Sequence, residues 1–195
     1  MIIRAQSCSS GSATLLFLVL LMPPVKQALE ASLTAQVLVQ IPLLIAVGWL
    51  LRAAVPERIL ARTENWNYRG IAGLVLATLT AAYWMLPRVL DAATTVPLLA
   101  VAKYLSAPLL IGLPFALSWP RMGFIVRGVL LAELIATCFR LGWLYLASPV
   151  RLCNNYLLND QQRLGECMLA IGSGLLFWLA WKLLWGRFDS LKSAA

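Results

Sequence analysis

Two long apolar runs near the C-terminus, 128–146 and 164–185, constrain this chain more than any other feature. A helix rises about 1.5 Å per residue, and a hydrocarbon core takes roughly 20 apolar residues to cross. Each run is long enough to do so. The first run nevertheless holds Glu133 and Arg140. A charge at such a depth costs roughly 2.5–3.5 kcal/mol on insertion scales, so both groups should face protein or water rather than lipid. Between the runs lies a polar loop that carries Arg151, Cys153, Asn155, Tyr156, Asn159, Asp160, Gln161, Gln162 and Arg163.

Composition extends the same constraint to the whole chain. Of 195 residues, 61% are hydrophobic and only 12% charged, and the mean hydropathy is +0.81. Soluble domains carry about 25% charged residues. Backbone groups in lipid must be satisfied within their own segment or by a closed barrel. Continuous apolar runs, rather than alternation over about ten residues, select helices. The expected fold is therefore all-α, a polytopic transmembrane helical bundle of five or six spans, with the bilayer as its first partner. The net charge of +8 is read as basic residues marking cytoplasmic loops, not as a nucleic-acid footprint. The chain has no histidine, which excludes histidine-ligated haem, copper or zinc and any imidazole acid–base step.

Residues 1–31 form either a signal-like segment or a first transmembrane helix. Arg4 precedes a short apolar run from Ala13 to Val25 that ends at Pro23-Pro24, and small residues follow. Residues 32–187 form the transmembrane domain, and 188–195 form a cytoplasmic tail. Within the domain, 33–54 reads as a span kinked at Pro42, with Gln36 and Gln40 available for interhelical hydrogen bonds. Residues 55–69 read as a charged loop. The next spans are 70–86, which ends in Tyr83-Trp84 and Arg88, and 96–119, which contains Pro97, Pro108, Pro114 and Lys103. Lys103 is expected to snorkel to the outer interface, or else to pair with Asp91 or Glu133. The Gly172-x-Gly174 step should allow close helix packing.

Counting positive charge sets the orientation. Ten basic residues (Arg4, Arg52, Arg58, Arg62, Arg69, Arg121, Arg127, Lys182, Arg187 and Lys192) fall on one side, and five (Lys26, Arg88, Lys103, Arg151 and Arg163) on the other. The richer side is cytoplasmic by the positive-inside rule. Both termini are then cytoplasmic if the first segment is retained, and the loops near Asp91 and 151–163 face outward.

Three constellations could carry chemistry. Glu133 and Arg140 lie two turns apart, about 10 Å along the axis, and could bridge through a third group or contact a partner subunit. Cys153 and Cys167 could close the outward loop as a disulfide. Alternatively, their sulfurs could bind Cu(I) as soft ligands with those of Met168 and Met85. Asp160 and Gln161 could cap the last helix at its N-terminus. No phosphate-binding glycine loop, metalloprotease helix or nucleophile elbow is present, so the chain is not read as an enzyme.

The stretch Leu158-Asn159-Asp160-Gln161-Gln162-Arg163-Leu164-Gly165, followed by an apolar span, resembles the end of the CtaG-type cytochrome c oxidase assembly factors. Trp84-Met85-Leu86-Pro87 and Gly142-Trp143-Leu144-Tyr145 add a looser likeness. The resemblance implies a multi-pass protein of the bacterial inner membrane that serves copper delivery to, or maturation of, a haem–copper oxidase of the respiratory chain. Family members carry membrane-embedded histidines and more spans, and this chain departs from both. The expected function is an assembly or accessory factor for such an oxidase. The alternatives are a small structural subunit of an electron-transfer complex, or a small transporter using Glu133, Arg140 and Lys103.

Overall fold

A computed structural model describes residues 2–149, 151 and 155–185; the side chains of residues 2–10, 64 and 65 lie outside the description. The tail 188–195 and Cys153 are outside it as well. The described residues form helices joined by short turns: α1 (Ile2–Leu21), α2 (Pro23–Glu30), α3 (Leu33–Ala54), α4 (Glu57–Trp66), α5 (Ile71–Trp84), α6 (Pro87–Thr95), α7 (Pro97–Arg121), α8 (Phe124–Ala147) and α9 (Leu158–Trp185). The fold is all-helical, as composition requires. Among the described residues α3, α7 and α9 are each long and apolar enough to cross a membrane. Two bent pairs raise that number to five: α1 with α2, broken by 69°, and the segment Tyr68–Trp84 with α6, broken by 71°. Large apolar side chains such as Leu79, Leu98, Val129, Phe177 and Leu184 stand exposed on these helices, which suits a surface solvated by lipid rather than water.

The stretch 55–69, expected as a loop, is mostly helix. Glu57–Trp66 forms α4, entered through Pro56 in extended conformation. Its helical strength comes from Glu57, Arg58, Leu60, Ala61 and Arg62, all good helix formers. The exit needs Arg69 and Gly70 at φ 54° and 73°, a left-handed pair that glycine adopts at no steric cost. Asn67, buried in this turn, donates to Ser118 Oγ at 2.9 Å and accepts from the Gly73 amide at 2.9 Å. It thereby closes the start of α5 against the end of α7.

α3 is the wall shared by two cores. Leu33, Val37 and Ile41 join Leu90, Cys138, Tyr145, Tyr156, Leu164 and Met168 on one side. Leu44 and Val47 join Leu20, Ala77, Trp84, Tyr104 and Ile111 on the other. Pro42 produces a π turn at Gln36–Gln40. A second π turn, Ala107–Gly112, contains Pro108 and precedes Pro114. A helix-interior proline lacks an N–H and its ring presses on the carbonyl four residues back, here Leu38 and Leu110. Widening that turn gives the carbonyl room, and π turns of this kind cluster at functional sites.

Glycines set the closest crossings. A Cβ on Gly48 would lie 2.0 Å from the Pro108 carbonyl oxygen, and one on Gly112 would lie 2.3 Å from that of Ile45. The α3 and α7 backbones therefore touch. Gly142 and Gly165 do the same for α8 and α9, each admitting a Cβ only at 3.0 Å from the other's carbonyl oxygen. Of the expected Gly172-x-Gly174 pair, Gly172 packs against Cys138 while Gly174 faces open space.

Replacing Gly48 with alanine should destabilise the bundle by about 1–3 kcal/mol through overpacking, whereas Gly174→Ala should leave it unchanged or slightly more stable. Thermal unfolding of the two variants in detergent checks the contrast.

Candidate functional site: a buried polar network at one end of the bundle

α2 ends in Glu30, α3 supplies Gln36 and Gln40 from its π turn, and α7 supplies Lys103 and Tyr104. Lys103 is wholly buried and its ammonium donates to Glu30 Oε1 at 2.8 Å and to Gln40 Oε1 at 3.0 Å. Gln40 Nε2 donates to Tyr104 Oη at 2.7 Å and reaches Glu30 Oε1 at 3.4 Å. The Lys26 ammonium stands 5.8 Å from the centre of the Tyr104 ring. Gln36 and Gln40 bound the π turn and are both buried. Lys103 thus neither snorkels nor meets Asp91 or Glu133. Its partner is Glu30, which no local sequence pattern singles out.

Tyr156, from the segment before α9, adds a second layer. Its hydroxyl oxygen lies 2.9 Å from the Glu30 carbonyl and 2.7 Å from Gln36 Oε1. One hydroxyl proton cannot serve both oxygens. Gln36 Nε2 meanwhile is buried without a partner. Turning the Gln36 amide over resolves both faults, because amide oxygen and nitrogen are near-equivalent in shape. Tyr156 then donates to Glu30 and accepts from Gln36, and what remains unbonded is one carbonyl oxygen.

Asp160 does not cap its own helix. Its carboxylate reaches across to the start of α3, where it accepts from Ser32 Oγ at 2.9 Å, from the Leu33 amide, and from Thr34 Oγ1 at 3.3 Å. Free amides at a helix start are an anion site, and a residue 127 positions away fills this one. Gln161, buried, donates to the Tyr145 carbonyl at 3.1 Å, in the last turn of α8. Adjacent residues thus clamp two different helices. Asp91 accepts from the Asn155 amide at 3.0 Å, and Asn155 Nδ2 donates to Thr94 at 3.0 Å, which ties the segment before α9 to α6.

Glu133 and Arg140 form a direct ion pair, with Thr137 within 3.4 Å of both. The expected bridging group exists, but the charges also touch. They face neither protein nor a buried cleft, since the Arg140 and Glu133 side chains are 64% and 58% exposed. Lys103 is buried elsewhere, so these three residues line no common route.

The sulfurs do not assemble. Met168 is buried in the core around Leu33 and Tyr156, and Met85 packs against that same core. Cys167 is a half-buried free thiol one position, about 100°, around α9 from Met168. Cys153 lies outside the described residues. Among the described residues no group of three histidine, cysteine or acidic side chains could hold a metal.

Comparison with models of known families, with characterised proteins and with solved structures gives no match.

Truncating one partner of a buried ion pair strands the other charge at a cost of about 3–5 kcal/mol. Glu30→Gln should therefore be strongly destabilising, and Lys103→Met in the same chain should recover most of the loss. A double-mutant cycle on thermal stability in detergent measures the coupling.

Proposed function

We propose that this chain is a non-enzymatic membrane accessory factor, whose outward end is a rigid platform held against another membrane complex. One observation carries the reading. Among the described residues, α2, α3, α6, α7 and the segment around the start of α9 are cross-linked at one end by side-chain bonds, the buried Glu30–Lys103 and Tyr156–Gln36, the part-buried Asp160–Ser32 and the exposed Asn155–Asp91. Ionisable groups in a membrane protein mark function. Here each is locked into a bonded network, which serves a fixed surface better than a moving path.

The topology that fits has six spans, counting α8 beside α9 and keeping α1. Burial of Ala13 and Leu20 in the bundle supports keeping it. Positive charge then leaves both termini in the cytoplasm and turns the platform outward, in a bacterial inner membrane. That the partner is a haem–copper oxidase rests on the resemblance of 158–165 to CtaG-type assembly factors. The role toward that oxidase is holding subunits during assembly, which a fixed, cross-linked surface suits.

Deleting the chain should lower assembled oxidase several-fold, read as haem absorbance and oxygen consumption in membranes, with no rescue by added copper. Oxidase subunits should co-purify with the tagged chain in mild detergent, and an Asp91→Ala, Asn155→Ala variant should release them. Normal oxidase levels without co-purification would remove the reading.

A further inference from the structure

The exposed ion pair on α8 has no role in the outward platform. Its surroundings are specific. Ile135, Cys138, Gly142 and Tyr145 are the buried residues of α8, and Cys138 and Gly142 meet α9 directly. On the opposite side Val126, Leu130, Glu133, Thr137, Arg140 and Leu144 repeat at alternating steps of four and three, the spacing of a helix–helix seam. In the middle of this stripe Glu133 and Arg140 stand exposed, while Val126, Leu130 and Thr137 are half-buried.

Depth excludes the lipid headgroup as the missing partner. α8 runs from Phe124 to Ala147, so Glu133 and Arg140 sit about 4 Å and 7 Å from its midpoint at 1.5 Å per residue. Arginine near a membrane surface extends toward it. Arg140 instead turns toward the helix N-terminus to reach Glu133, away from the nearer end. Its Nη2 carries both of its bonds, to Glu133 Oε1 and Thr137 Oγ1. The Nε and Nη1 donors and Glu133 Oε2 take none among the described residues.

We propose that this face of α8 is the interface with a second copy of the chain. The Arg140 guanidinium is drawn up against the Glu133 carboxylate, so the exposed patch carries both signs of charge and is its own complement. A two-fold axis along the membrane normal sets Arg140 of each copy against Glu133 of the other and uses the spare donors and acceptors. Such an isologous contact is the commonest way for identical chains to pair. Interhelical polar bonds of this kind hold membrane helices together where apolar burial cannot.

The proposal rests on the membrane placement of α8, and not on the oxidase as partner. The test uses the full chain with its cysteines replaced by alanine, carrying Leu130→Cys or Thr137→Cys, in native membranes. Both sites should cross-link to a dimer and resist a water-soluble maleimide, while Trp143→Cys should not cross-link. In reconstituted bilayers Arg140→Glu should weaken dimerisation about ten-fold, and the exchange Glu133→Arg with Arg140→Glu should restore it. Maleimide labelling of Thr137→Cys would overturn the membrane placement. Protection without cross-links, cross-links only to a different protein, or a monomer by subunit counting would overturn the self-pairing.

Discussion

A lysine ammonium sealed from solvent cannot stand alone, and one end of this fold is arranged around neutralising one. Lys103 finds its counter-charge on α2, a helix short enough to turn 69° away from α1 and lie across the bundle end. Removing the charge from water costs several kcal/mol per ion, and mutual attraction offsets this only where further hydrogen bonds complete the geometry. Gln40 and Tyr104 supply those bonds. The π turn that Gln36 and Gln40 bound follows from Pro42, so a backbone defect and a buried charge are two parts of one arrangement.

Much of this was legible in the chain and some was not. Apolar run length located the long helices well: α3 covers 33–54 as read, and α7 and α9 begin or end within a few residues of the expected spans. Helix α4 was missed because its charges were read as loop character, although Glu57, Arg58 and Arg62 are equally good helix formers. The bends after Met22 and Leu86 were marked by Pro23-Pro24 and Pro87. What they produce, short helices lying across the bundle end, depends on packing that no local pattern reports.

The site was legible in its parts and not in its pairing. Lys103, Asp160, Gln161, Gln36 and Gln40 stood out as polar groups in apolar surroundings, and all of them are tied into one end of the bundle. Their partners could not be read, because Glu30, Ser32 and Tyr145 lie far off in sequence and carry no unusual local pattern. Glu30 looked like the end of a leader-like segment. Tyr156 looked like ordinary loop. Composition counts thiols and thioethers, while helical phase decides which of them face each other. Met168 and Cys167 are neighbours in sequence and point apart.

The bond from Asp160 to the Leu33 amide gives the chain a sense of completion. Membrane helices enter one after another, and α3 emerges long before α9. Until the final segment arrives, the first turn of α3 keeps exposed amide donors at the bundle end, and the carbonyls closing α8 lack Gln161. A truncated or stalled product would therefore carry open hydrogen-bonding sites on both helices. The Asp160–Gln161 step therefore ties the beginning of α3 and the end of α8 together in one place.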